Sequence, residues 1–490
     1  MPLEYTSTRS RRPHRRRADA FLAGRLLRAA LFAALLAGCA LNGQNLKGPG
    51  PLESEGELYI ELQPLAPEAA RLDFEIGAIS ARRADGTFVP LTPAPGKIAA
   101  AGQRQRLLAS GRLEPGSYSG LLLRIARATL AGASGSADLL LPPEPSPIEF
   151  AFTVAGHRAT VLSLELNGPG SIDKGFAFAP SFTVSVPPRT VTPLIGYCAD
   201  TGTHDLRVFD KRARAVTAVL PTGKAPWGLA LDPLRNRAYV ALADEDLILI
   251  IDVASGDEIG RIRLSAGDSP RELALTPDGR LLLSANAGSN TASFLDTGSM
   301  IELGRVPAGE EPLSLLLDRS GKRAFAFSAR SSSVTVLDLA MRAAIATVAV
   351  EAQPLRGQLD RAGTRLYVAS ATSAYLTVFS LPGLAVLKRV FVGLGVTALK
   401  VDPATDLVYV ALRGEKRLAV YDPFSLIPVD YLDVPGAPSY LSIDDAQNAL
   451  FLLLPESREV AVFDLTTKRI LARFDVGSEA HVLALMGERF

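Results

Sequence analysis

The chain holds only two cysteines, one tryptophan, four methionines and four histidines in 490 residues. Two cysteines cannot form a disulfide framework. No CxxC, CxxCH, HxH or HExxH stretch occurs, which removes the usual sequence basis for structural zinc, c-type haem and zinc hydrolases. The nucleophile elbow GxSxG and the phosphate-cradling GxxxxGK are also missing. No cofactor and no metal site is therefore expected. Long apolar runs are missing too. The most apolar stretch near the start, 29–36, is about eight residues long, where a membrane-spanning helix needs roughly 20. Charge of one sign is also scarce: 52 basic residues face 51 acidic ones.

That balance hides a division. The first 38 residues hold eight arginines, no lysine and only two acids, Glu4 and Asp19. A basic stretch, a short apolar core and small residues before a cut describe a secretory signal over 1–38. The remaining chain carries 44 basic and 49 acidic residues, a net charge of −5. No basic stripe is left for a nucleic acid to read, so none is expected as a partner. Residues 39–55 are rich in Gly, Pro and polar groups and read as a flexible tether.

The stretch Leu36-Ala37-Gly38-Cys39 resembles the lipobox of bacterial lipoproteins. The resemblance implies acylation of Cys39, which becomes the new N-terminus and anchors the chain to a membrane; an ordinary signal peptide with an incidental cysteine is the alternative. Ala40 in place of an Asp implies sorting to the outer membrane of a Gram-negative cell. Ser10-Arg11-Arg12 is similar to a twin-arginine signal, but Pro13 and His14 depart from that pattern. With Cys39 acylated, Cys198 has no disulfide partner and reads as a small buried apolar residue.

From 56 to 190 short alternating apolar runs are split by turn signals. Glu57-Leu58-Tyr59-Ile60-Glu61-Leu62 is one such run, and Asp85-Gly86 suits a hairpin. This pattern predicts a β-sandwich. The stretch from Leu113 to Ile125, with Pro115-Gly116-Ser117-Tyr118 at its turn, resembles a turn and strand of exported bacterial sandwich domains of unknown function.

The second half, 194–490, is periodic. Asp210, Asp252, Asp296, Asp338, Ser380, Asp422 and Asp464 recur at 42 or 44 residues. Thirteen residues earlier stand Tyr197, Tyr239, Leu283, Phe325, Tyr367, Tyr409 and Phe451. A second column, Asp232, Thr276, Asp318, Asp360, Asp402 and Asp444, keeps the same phase. Such a period with alternating apolar runs is the signature of a β-propeller. Each unit should hold four strands, in the second unit over 227–231, 237–242, 247–252 and 258–264. Half a unit stands at each end, so the strand near 480 should pair with the strand holding Tyr197 and close a ring of seven blades. The expected fold is thus all-β, a sandwich followed by a seven-bladed propeller. The copies resemble YVTN-type propeller repeats of exported bacterial proteins, as at Tyr239-Val240-Ala241 and Tyr367-Val368-Ala369, and share the shape of lactonase-like propellers.

Most columns are uniform, as packing requires. Two are not. At the start of the inner strands the copies align Trp227, Arg271, Leu313, Leu355, Thr397, Ser439 and His481 in one ring. The next position aligns Gly228, Glu272, Ser314, Arg356, Ala398, Tyr440 and Val482. Variation of this kind suits a ligand-facing mouth, with Trp227, Arg271, Glu272, Arg356, Tyr440 and His481 as candidate binding residues; variation where nothing packs is the bland alternative. Asp244-Glu245-Asp246, the densest acidic run in the propeller loops, reads as a solvated turn. The expected function is a non-catalytic binding or scaffold lipoprotein of the cell envelope, engaging a protein, peptide or glycan, with the sandwich as spacer. The alternative is a lactonase-like hydrolase using His481 with Arg271, Arg356 and Glu272.

Overall fold

The structure is a computed structural model that describes residues 52, 54–69, 71–99, 104–132, 135–173 and 176–488. The expected signal, Cys39 and most of the expected tether lie outside these residues. No helix among the described residues is long and apolar enough to cross a membrane. The chain is all-β, with a propeller in its second half. Helix is confined, among the described residues, to the single turn Gly168–Ser171 and two 3-10 segments.

The repeat becomes sheet as its period requires. In the second unit the strands are Pro226–Asp232, Arg237–Leu242, Leu247–Asp252 and Glu258–Arg263, paired antiparallel in serial order. Six such four-stranded sheets stand as separate blades. One of them joins the two ends of the propeller sequence: Ala480–Leu485 pairs with Ile195–Asp200, with Tyr197 opposite Ala484. Four further strands, Tyr440–Asp444, Ala449–Leu454, Glu459–Asp464 and Ile470–Asp475, pair in the same serial order and continue into the N-terminal sheet.

The recurrent residues do the local work that repeats in each unit. Tyr197, Tyr239, Phe325, Tyr367 and Phe451 are buried between sheets. Asp232 Oδ1 accepts hydrogen bonds from the Leu234 and Arg235 amides, and Asp402 Oδ1 accepts one from Ala404. At the later column Asp252, Asp338, Asp422 and Asp464 accept from backbone amides two or three residues on. A short carboxylate folded back onto its own turn replaces the ladder partners that the turn lacks. Gly357, the one break in the inner-strand leucine column, has a packing cause: a Cβ there would stand 2.2 Å from the Phe327 ring. Cys198 is fully buried, and burial pushes its thiol pKa up.

The N-terminal strands close on their own core, which includes Leu58, Ile60, Phe74, Tyr118 and Leu162. The hairpin expected at Asp85-Gly86 joins Leu72–Arg83 to Phe88–Pro93, with the Asp85 carboxylate accepting the Thr87 amide at 2.9 Å. This region is no loose spacer. Arg104–Leu113 lies parallel to Ile470–Asp475, with Arg104 opposite Arg473 and Gln105 opposite Phe474. The Gln105 amide grips the backbone of Val216 in both directions, at 2.6 and 3.1 Å. Arg104 also bonds buried Glu459 at 2.7 Å and reaches Asp475. An otherwise open blade edge is covered from within the chain, which removes a template for unwanted strand pairing.

Candidate functional site

The inner strands bring all six expected mouth residues to one end of the central channel, but they meet in two groups rather than lining an open funnel. Trp227 begins the inner strand of the second unit, Arg271 that of the third, and His481 lies on the closing strand Ala480–Leu485. The His481 ring stacks on the Trp227 indole at 4.1 Å between centroids, with 14° between planes. The Arg271 guanidinium carbon lies 3.9 Å from the Trp227 ring centroid. Two planar groups at that distance cannot share one face of an indole. Trp227 is therefore enclosed on both faces, and cation–π attraction ties Arg271 to it.

The second group lies one residue farther along the inner strands. Arg356 Nη2 bonds Glu272 Oε1 at 3.1 Å, and its guanidinium carbon sits 4.1 Å from the Tyr440 ring centroid. Glu272 Oε2 accepts the Leu315 amide at 2.9 Å. Glu272, Arg356 and Tyr440 come from inner strands that are not neighbours, so the group reaches across the channel. Burial works against the Arg356 charge, but Glu272 and Tyr440 outweigh it and hold the guanidinium above its usual pKa. Burial also pushes the Tyr440 phenol up, and the nearby Arg356 only partly offsets this.

Farther along the channel is a third group that the sequence reading missed. Lys400 Nζ lies 2.5 Å from Glu488 Oε1, while the Ser442 hydroxyl donates to Glu488 Oε2 at 2.5 Å. Lys400 had a signal: it is the one charged residue in the column Ala230, Ala274, Leu316, Gln358, Lys400, Ser442 and Ala484. Glu488 had none, because it stands after the last repeat. A cavity of about 610 Å³ opens at the opposite end from the mouth, where Lys211, Asn236, Asp444, Asp445 and Met486 are among its lining residues. Lys211 spends its charge there within the protein, on Asp444 at 2.9 Å and the Met486 carbonyl at 2.7 Å.

The charges at the mouth itself are unequally matched. His481 Nε2 meets the Thr201 hydroxyl at 2.9 Å, and that hydroxyl is 3.3 Å from Glu479 Oε2. Burial lowers the His481 pKa; the Asp200 and Glu479 carboxylates oppose this and Arg271 adds to it, so the imidazole is neutral at pH 7. Arg271 differs from Arg356. Among the described residues no carboxylate lies within 4 Å of it, and its Nε–H is buried without a hydrogen-bond partner. Burial lowers its pKa, opposed only by the more distant Asp244 and Glu311. The Ser314 and Ser439 hydroxyls are likewise buried and unpartnered.

Neither a protein-family model nor a curated protein matches the chain. Solved structures do. Hydrazine synthase from Kuenenia stuttgartiensis is 18% identical over 57% of this chain and 97% of its own, with a TM-score of 0.50. A protein of unknown function from Desulfotomaculum acetoxidans is 11% identical over 60% of this chain and 99% of its own, with a TM-score of 0.52. The dihydro-heme d1 dehydrogenase NirN is 14% identical over 62% of this chain and 78% of its own, with a TM-score of 0.48. For the two with TM-scores of 0.50 and 0.52, the likeness at these identities is one of fold.

Proposed function

We propose that this protein is a lipoprotein of the cell envelope, held at Cys39 by acyl chains in the outer membrane of a Gram-negative bacterium, and that its propeller is a non-catalytic binding module. In this reading the four strands between Tyr440 and Asp475 are the seventh blade of a YVTN-type ring. The N-terminal strands form a β-sandwich that holds the ring rigidly at two of its blades. The mouth engages an envelope protein, peptide or glycan.

The observation that carries the binding reading is the set of contacts made across the channel. Glu272, Arg356 and Tyr440 reach across it from non-adjacent inner strands, so the mouth is a firm face with variable chemistry rather than a passage. A preorganised face loses little entropy on binding. The hydrolase alternative draws less support. His481 lies flat against Trp227 and bonds a hydroxyl, while Glu272 and Arg356 are engaged with each other. A general base must be free to approach the proton it takes.

Two experiments on the intact chain test this. Cys39→Ser should move the protein from the membrane pellet to the soluble exported fraction; retention in the pellet overturns the anchor. A photo-crosslinking residue at Ser439, on the mouth, should give a discrete adduct in envelopes, and the same residue at Asp445, at the opposite end, should not. Equal labelling from both positions, or none from Ser439, overturns the use of the mouth.

A further inference from the structure

We infer that the mouth is built to take one carboxylate attached to an apolar body, with Arg271 as its counter-ion. This rests on the mouth being a binding face and adds the chemical class of what binds there.

The charges at the mouth are unequally paired. Glu272 and Arg356 neutralise each other at 3.1 Å. His481 is neutral at pH 7 for the reasons given above. Arg271 is the cation there without an ion-pair partner: its Nε–H is buried and unpartnered, and no acid lies within 4 Å among the described residues, Asp244 and Glu311 acting on it only from farther away. Taking a guanidinium partly out of water without a carboxylate costs free energy that a structural role would not need. Stacking on Trp227 orients the guanidinium and leaves its terminal N–H fork as the group able to meet a planar anion. Carboxylates match that fork bidentately.

The surroundings select among anions. Asp244 and Glu311 also act on Arg271 from beyond ion-pair distance. Their repulsion grows with the charge of the ligand, so a monoanion meets less of it than a doubly charged phosphate. The ring then continues from Arg271 to Leu313 and Leu355, which are apolar and half-buried, with the orphaned Ser314 hydroxyl beside Leu313. An apolar group next to the carboxylate has somewhere to rest. A peptide C-terminus ending in an apolar residue and a free short-chain acid share this chemistry.

Trp227 is the only tryptophan in the chain and touches Arg271, so its fluorescence reports any anion that draws the guanidinium away. The full chain is titrated with N-acetyl-leucyl-leucine, with the same dipeptide as its C-terminal amide, with octanoate and with inorganic phosphate. The expected result is a saturable fluorescence change in which at least one free acid binds about tenfold or more tightly than the amide, equivalent to about 1.4 kcal/mol. The better of the dipeptide acid and octanoate identifies the source of the carboxylate. Arg271→Gln, read by titration calorimetry because the variant removes the fluorescence reporter, should abolish that preference while its melting curve stays near that of the parent, and Asp445→Asn at the far end should retain it. Equal binding of acid and amide overturns the carboxylate and leaves the mouth as a binding face. Phosphate binding as tightly as the acids overturns the selection for a monoanion. Acid binding that survives Arg271→Gln overturns the role of that residue. No response to any probe also overturns the inference, whereas failure of the Ser439 crosslink is what would remove the mouth reading itself.

Discussion

Of the arginines that lie over aromatic rings, Arg207 and Arg271 are provided for differently. Arg207 stands 4.3 Å from the Tyr59 centroid, where the N-terminal region meets the propeller. It has Asp205 at 3.2 Å and Glu61 at 3.8 Å, and Tyr59 donates to Asp205 at 3.0 Å. Arg271 stands 3.9 Å from the Trp227 centroid at the mouth and has no acid in reach among the described residues. The first cluster is wholly buried, and Arg207 is answered there by Asp205. The second is only half-buried and leaves a charge over. A compensated arginine fastens two parts of a protein together. An uncompensated one is a structural loss that binding can repair.

The largest expected effect removes support common to both regions. Deleting 480–490 takes away the strand that pairs with Ile195–Asp200, and with it His481, the Met486 carbonyl and Glu488. Lys400 would lose its carboxylate and the sheet would gain an open edge. The propeller should fail to melt as one cooperative unit; an unchanged melting temperature would contradict its closure.

Next in size is the direct contrast. Arg207→Met strands the buried Asp205 carboxylate in the interface and should cost about 3–5 kcal/mol in denaturant unfolding. Arg271→Met loses a cation–π contact but also a poorly solvated charge, and should shift stability by less than about 1 kcal/mol. Equal losses would erase the distinction.

A pH series sharpens the same contrast. Burial raises the Glu61 pKa from its ordinary 4.5 to about 8. Arg207 is too far away and too engaged with Asp205 to prevent this, and neither Glu61 oxygen has a hydrogen bond. Between those two values the folded chain holds a proton that the unfolded chain has released. Its contribution is thus full below pH 4.5 and is lost as pH rises through about 8. Relative to Glu61→Gln, the parent should lose up to about 1.4 kcal/mol of stability per pH unit within that window. Parallel curves for the two proteins would show that Glu61 stays ionised.

The smallest effect concerns the turns. Asp252→Ala removes the carboxylate that accepts the Ser255 amide at 2.7 Å and should cost about 1 kcal/mol. The fluorescence response of Trp227 should be unaffected. A lost response in a protein that melts normally would give these turns a part in binding.

Much of the fold was legible because its needs repeat. A turn carboxylate, an aromatic wedge and an alternating inner strand recur at 42 or 44 residues, and each copy marks the same local contact. The strands from Arg237 to Asp252 begin and end where that period places them. The candidate site was legible only as variation. The columns named Trp227, Arg271, Glu272, Arg356, Tyr440 and His481 but could not say which would touch, because blades that are distant in sequence order meet only across a closed ring. Lys400 was visible as an exception in its column, and Glu488 was not visible at all.

By itself the sequence determined the period, the strand-turn alternation and the positions that must be buried, since these follow from contacts between residues near in the chain. The docking of Arg104–Leu113 against Ile470–Asp475, the span of Arg356 between Glu272 and Tyr440, and the solitude of Arg271 were decided by tertiary structure alone. Each depends on which charges end up within a few ångströms of one another, and Coulomb interactions of that range are set by distance in space.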